Sequence, residues 1–141
     1  IEVVCGVTAA QSGSAVLGAP LAQDFAVISL SDLLTPWEDI ERRIEAAAWG
    51  DFCIALYNPR SKKRSGHLAR AVQVLLRHKG PDTVCGWVRM IGREGQQSGI
   101  CTLDELGSLE ADMFTTVFVG NAATRVADGR MVTPRGYRGL S

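Results

Sequence analysis

Phe52-Cys53-Ile54-Ala55-Leu56-Tyr57-Asn58-Pro59-Arg60-Ser61-Lys62-Lys63-Arg64 is the stretch that decides the fold. It opens as an unbroken apolar run, the pattern of a strand buried on both faces. It stops at Asn58-Pro59, because proline lacks the N–H a sheet ladder needs and pushes its predecessor out of helical geometry. Arg60, Lys62, Lys63 and Arg64 follow at once. Then His67-Leu68-Ala69-Arg70-Ala71-Val72-Gln73-Val74-Leu75-Leu76-Arg77 reads as an amphipathic helix. Buried strand, polar loop and helix make half a βαβ unit. In open α/β sheets, ligands sit outside the carboxyl ends of the strands, where such loops lie. Taken alone, the loop reads as an ordinary solvated basic turn.

The 141 residues suit one compact unit with a substantial core, since 46% are hydrophobic. Lys plus Arg and Asp plus Glu number 15 each. A neutral chain argues against a general nucleic-acid or membrane surface. Cys5, Cys53, Cys85 and Cys101 are too widely spaced for a metal knuckle or a redox motif. Cys53 and Cys85 lie in apolar runs and read as small core residues. Unpaired cysteines suit a reducing, cytoplasmic compartment. No stretch is long and apolar enough to span a bilayer as a helix. The sequence opens at Ile1 inside an apparent strand, residues 1–4, and is expected to have lost residues upstream.

Working outward, Thr8 is placed to cap a helix running through Leu17, with Gly18-Ala19-Pro20 ending it. Free N–H groups at that helix start suit an anion or a polar ligand edge. Residues 25–30 read as a strand. Thr35 is the expected N-cap of the next helix, with Pro36 at its first position and Glu38 completing a capping box. Trp37, Ile40, Ile44 and Ala47-Ala48 recur at helical spacing; Glu41, Arg42, Arg43 and Glu45 read as its wet face. His67 and His78 are expected on a helix surface, too far apart to share a metal. Residues 84–91 and 97–102 read as an antiparallel pair, 103–106 as one helical turn and 115–119 as a strand. Asp128-Gly129 is a two-residue hairpin signal between short strands. Pro134-Arg135-Gly136-Tyr137-Arg138 begins a basic, mobile tail. This order argues for an α/β fold with a mixed parallel/antiparallel sheet flanked by helices.

Residue chemistry identifies no catalytic group. The sequence has no nucleophile elbow, no metal-spaced His/Cys cluster and no phosphate-loop glycine pattern. Thr8, Tyr57, Asn58, Arg60, Arg93, Asn121 and Arg125 each fall at or just past an expected strand end. Arginine matches carboxylate geometry bidentately, so such a cluster suits a polycarboxylate. Chemistry alone leads to an α/β domain with an anionic-ligand cleft.

Four motifs in order go further. Val3-Val4-Cys5-Gly6-Val7-Thr8-Ala9 is similar to the V-V-P-G-V-T-A segment of the tetrapyrrole (corrin/porphyrin) methylases. Ile54-Ala55-Leu56-Tyr57-Asn58-Pro59-Arg60-Ser61-Lys62-Lys63-Arg64 resembles the L-Y-N-P-x-S-x-x-R segment of their precorrin-3B C17-methyltransferase branch. Val88-Arg89 through Gly92-Arg93-Glu94-Gly95 resembles V-R-N-A-G-R-E-G, and Thr115-Thr116-Val117-Phe118-Val119-Gly120-Asn121 resembles T-T-V-x-V-G-N. The likeness extends over residues 25–37 and the Asp128-Gly129-Arg130 tail, nearly the whole chain. Cys5 stands where the family has proline, and Met90 where the branch has asparagine.

The resemblance implies an S-adenosylmethionine-dependent C-methylation of a precorrin at C17, coupled to ring contraction, in cobalamin biosynthesis. It implies a cofactor held between two α/β domains and a homodimer, with neither nucleic acid nor membrane as partner. Carried over by motif, Thr8, Ala9, Leu56, Tyr57, Asn58, Met90 and Ile91 would bind the cofactor. Arg60, Lys62, Lys63, Arg64 and Arg93 are available to the substrate's carboxylates. No metal is implied, and the catalytic base is unassigned. Because the sulfonium methyl is already activated, alignment and water exclusion suffice, which accounts for the missing triad. The family's glycine-rich cofactor loop is missing from this sequence. Residues 1–22 are therefore expected to be the last strand and helix of an N-terminal cofactor domain. Residues 23–133 are the C-terminal α/β domain and 134–141 the tail, and the chain alone is expected to be inactive. Two other readings remain: a non-catalytic ligand-binding or dimerisation module, and an α/β domain binding phosphorylated metabolites through residues 60–64.

Overall fold

The structure, a computed structural model, describes residues 2, 3, 6, 8–59 and 66–136. In chain order its elements are α1 (Ala9–Leu17), β1 (Gly18–Ala19), β2 (Phe25–Ser29), α2 (Trp37–Trp49), β3 (Cys53–Tyr57) and α3 (His67–Leu75). Then come β4 (Val84–Arg89), β5 (Gln97–Thr102), α4 (Leu103–Leu106), β6 (Thr115–Val119), β7 (Arg125–Ala127) and β8 (Arg130–Val132).

Five strands form the main sheet in the order β2-β3-β6-β4-β5. β2 and β3 are parallel, with Val27 beside Ala55. β6 enters between β3 and β4 and runs against both, Val117 lying opposite Leu56 and Trp87. β4 and β5 pair antiparallel, as expected. The mixed sheet expected from the element order is therefore present. A second, three-stranded sheet joins β7 and β8 to β1, which pairs parallel with β8.

β3 is apolar throughout because both its faces are covered. Alternate side chains point to opposite faces of a strand. Ile54 and Leu56 enter the larger core with Ile40, Ile44, Val72 and Leu75 from α2 and α3. Ala55 enters the smaller core with Ala10 and Leu17 of α1, Val88, Phe118 and Met131, and Tyr57 packs at its margin. Gly13 brings α1 down onto the sheet: a Cβ there would lie 2.8 Å from Phe118 Cζ and 3.2 Å from Ile91 Cδ1. Thus α1, assigned from sequence to the preceding domain, lies on the five-stranded sheet.

Several local expectations need correction. Glu2 and Val3 belong to no strand, and Val3 is 94% exposed. The residues described here give it no neighbouring strand to pair with. Pro36, not Thr35, is the N-cap of α2: its ψ of 143° is extended, and no side chain caps the helix, so the capping box is not formed. Glu38 and Asp39 still favour the positive end of the helix dipole. His67 is buried, at 5% exposure, not on a helix surface. It stacks on Trp37 at 5.2 Å between centroids and faces Asp32 at 3.6 Å. Arg70 lies 4.3 Å over the same Trp37 ring. The wet face of α2 is as expected, with Arg42 and Arg43 exposed. Glu41 and Glu45 make surface pairs with residues just past α3, both with Arg77, at 3.2 and 3.6 Å, and Glu45 also with His78 at 3.2 Å. Cys53 and Cys85 are core residues as expected.

Candidate functional site

β2, β3 and β4 point the same way, so their carboxyl ends share one edge of the main sheet. Ser29, Tyr57-Asn58 and Met90-Ile91 lie there. The ends of β3 and β4 are separated by β6, two strand spacings or about 10 Å. The start of α1 closes this edge from one face. Tyr57 points toward α1, and its hydroxyl accepts a hydrogen bond from the Ala10 amide at 2.6 Å. Thr8, the N-cap, accepts from the Gln11 amide through Oγ1 at 3.4 Å. The segment ending at Tyr57-Asn58 and the start of α1 therefore meet at one edge of the sheet. The expectation of free amides at the helix start needs amending: those of Ala10 and Gln11 are already satisfied by the chain's own oxygens. A ligand acceptor taking these two amides would have to displace both.

Two non-glycine residues at this edge lie in the left-handed region, Asn58 at φ 54° and Met90 at φ 57°. Asparagine tolerates this conformation; methionine has no such local compensation, and strain of this kind gathers at functional sites. Asn58 is steadied by its Nδ2, which donates to Ser29 Oγ at 3.0 Å. Met90 is steadied by its own amide, donating to the Phe114 carbonyl at 3.1 Å, and by its carbonyl, accepting from the Arg93 amide at 3.0 Å. The partner segment is held by Asp112. Its Oδ2 accepts from Arg89 Nε at 2.6 Å, and its Oδ1 accepts from the Phe114 amide and Thr115 Oγ1, both at 2.9 Å. Burial works to raise the Asp112 carboxyl, but these bonds from Arg89, Thr115 and Phe114 outweigh it and hold it below the ordinary carboxylate range.

The sequence-expected cofactor residues fall as follows. Thr8, Ala9, Tyr57, Asn58, Met90 and Ile91 sit at the shared edge on the α1 side. Leu56 is at the same edge, but its side chain is wholly buried beneath α2 and α3, so only its backbone is on offer there. Arg93 is exposed in the turn after β4. Arg60, Lys62, Lys63 and Arg64 lie outside the described residues. Asn121 and Arg125 do not join the cluster. β6 runs against β3, so its carboxyl end reaches the opposite edge, with Val119 beside Ile54. Arg125 belongs to β7 in the other sheet.

At that opposite edge is a feature sequence reasoning missed. Lys79, read as a turn residue, has a side chain only 3% exposed. Its Nζ donates to Asp51 Oδ1 at 3.1 Å and to the Gly120 carbonyl at 3.0 Å, while both Asp51 oxygens accept from the Ala122 amide. A lysine between helix and turn gives no local signal of burial. Arg89–Asp112 was missed for the same reason: its partners are 23 residues apart. Among the described residues no group of three or more His, Cys, Asp or Glu is placed to hold a metal, and no helix is long and apolar enough to cross a membrane.

A sequence profile of the Tetrapyrrole (Corrin/Porphyrin) Methylases matches residues 1–107. A probable cobalt-factor III C(17)-methyltransferase of Salmonella typhimurium is 48% identical over 137 residues, which is 97% of this chain and 57% of that protein. The precorrin-3B C(17)-methyltransferase of a Sinorhizobium species is 44% identical over 96% of this chain and 56% of its own length. The crystal structure of the methyltransferase CobJ superposes with a TM-score of 0.87 at 40% identity, covering 92% of this chain and 54% of that one. The chain thus spans a little over half the length of these relatives. With motif order, sheet topology and profile in agreement, the chain belongs to the tetrapyrrole (corrin/porphyrin) methylases.

Proposed function

We propose that this chain is part of an S-adenosylmethionine-dependent methyltransferase acting at C17 of a precorrin or cobalt-factor III macrocycle, with ring contraction, in cobalamin biosynthesis. The observation that carries the reading is the meeting of Tyr57 and the start of α1 at the sheet edge where Asn58, Met90 and Ile91 also lie. The donor set suits this cofactor better than a phosphate. It offers small and apolar side chains, a phenol and backbone groups, as adenine and a methionine chain require.

Thr8, Ala9, Tyr57, Asn58, Met90, Ile91 and the Leu56 backbone would hold the cofactor. When bound, S-adenosylmethionine supplies a methyl group already activated on a sulfonium sulfur. The chain's own residues then have to orient and exclude water. Tyr57 spans α1 and β3 and sets the crevice width, its O–H proton remaining available to a ligand acceptor. Asn58 and Met90 turn the chain at the strand ends through their left-handed backbones. Arg93, with Arg60, Lys62, Lys63 and Arg64, would meet the carboxylates of the macrocycle. We divide the chain after residue 22 between the end of a cofactor domain, whose α1 packs on the sheet that follows, and a C-terminal α/β domain over residues 23–133. We place the protein, as a homodimer, in a reducing cytoplasm; the free thiols of Cys53, Cys85 and Cys101 support that compartment.

Calorimetry of the full-length protein with S-adenosylhomocysteine tests the reading, followed by transfer of a labelled methyl group to a precorrin. Absence of heat at high ligand concentration would remove it in favour of a non-catalytic module. The chain spanning residues 1–141 alone is expected to give no methyl transfer.

A further inference from the structure

The turn after β4 is locked by a closed ring of hydrogen bonds. Arg89 Nε holds Asp112 Oδ2 at 2.6 Å, and Asp112 Oδ1 holds the Phe114 amide at 2.9 Å. The Phe114 carbonyl takes the amide of Met90, the residue next to Arg89, at 3.1 Å. Thr115 braces the ring twice: its Oγ1 donates to Asp112 Oδ1 at 2.9 Å and accepts from the Asp112 amide at 3.2 Å. The ring closes around Met90, whose φ of 57° is costly for an unbranched apolar side chain. Ile91 follows immediately and touches α1 near Gly13. Charge-assisted bonds of this length are the strong ones, and such networks act as a unit.

We propose that Arg89 and Asp112 are positioning residues for the cofactor crevice: their ion pair fixes the left-handed turn at Met90 and so sets where the Met90–Ile91 wall stands relative to Tyr57 and α1. Neither side chain needs to touch the ligand. The inference rests on the cofactor reading above and adds to it Asp112, which no motif singles out, as the partner that holds Arg89. A small displacement of a binding wall is enough to weaken a pre-formed site strongly.

In the full-length protein, Asp112→Asn and Arg89→Lys should each weaken S-adenosylhomocysteine binding about tenfold or more by calorimetry. The KM for S-adenosylmethionine should rise by more than kcat falls. The double variant should lose less than the sum of the single losses, because the two act through one bond. Asp51→Asn, at the far edge of the sheet, is the control: it should lower the melting temperature and leave the affinity alone. A parent protein that binds while both variants bind equally well overturns the positioning role and leaves the cofactor reading standing. A parent that does not bind overturns both. If Asp112→Asn does not fold, Arg89→Lys, which keeps the positive charge, decides the question.

Discussion

The phenol oxygen of Tyr57 and the backbone amide of Ala10, 47 residues apart in sequence, meet at 2.6 Å. The last residue of β3 thereby completes the first turn of α1, whose remaining N-terminal amide partner is Thr8. Helix starts leave amides without intrahelical partners, and here a distant strand supplies one acceptor. Tyr57→Phe removes that acceptor without changing the ring. It should destabilise the fold by about 1 kcal/mol, the cost of a partly buried amide left without its partner. Denaturant unfolding of the two proteins measures it, and an unchanged midpoint would show that water replaces the phenol at no cost.

At Gly13, α1 lies close against the sheet. In Gly13→Ala the new Cβ would stand 2.8 Å from Phe118 Cζ, and Phe118 is fully buried, with nowhere to move. Alanine is the better helix former by about 1 kcal/mol, so on an isolated helix the change would stabilise. Here overpacking, typically about 1–3 kcal/mol, is expected to win, and the protein should melt lower. A higher melting temperature would mean that α1 shifts freely on the sheet.

Lys79 and Asp51 close the opposite edge. Asp51→Ala strips the buried ammonium of its carboxylate and leaves it the Gly120 carbonyl. Because Asp51 is 49% exposed, water can partly replace it, and the expected loss is about 2 kcal/mol, in the range for hydrogen bonds to charged groups. Lys79→Met, which removes the charge and keeps the stem, should cost less than Asp51→Ala. Equal or reversed losses in denaturant titrations would contradict the asymmetry between an unpaired buried cation and an apolar replacement.

Stability should fall at both ends of the pH range for separate reasons. The folded Asp112 carboxyl lies below its ordinary value of 3.8, so below that value the unfolded chain takes up its proton first. Its contribution is present above about pH 4 and is lost as pH falls through the folded value. Asp112→Asn should flatten the acid limb below about pH 4. Cys101 is pushed up to about 11 by burial and by neighbouring Glu105, and burial raises Cys85 further still. Their unfolded thiols ionise from about pH 8.5, so stability should decline above that value as the unfolded chain sheds protons first. Cys101→Ser should soften that alkaline decline. Melting temperatures taken across the range check both limbs.

The elements themselves were legible because each rests on a local pattern. The unbroken run at residues 53–57 could only be a strand covered on both faces, and α1 and α2 cover different faces of the sheet that contains it. Asp128 and Gly129, at φ 52° and 73°, make the tight hairpin that their dipeptide announces. The order of motifs likewise pointed to the family before any packing was considered. Partnership was not legible, because strand pairing joins residues whose separation leaves no periodic trace. The insertion of β6 between β3 and β4 reverses its direction and carries Asn121 away from Tyr57. The pairing of β8 with β1 withdraws Arg125 into a second sheet. His67 and Lys79 carry the polarity of surface residues, yet Asp32, Trp37, Asp51 and Gly120 satisfy them inside the fold. Sequence pattern determined which segments are helix or strand and which side chains seek burial. Only tertiary pairing decided which strand ends share an edge, and therefore which residues stand together beside the start of α1.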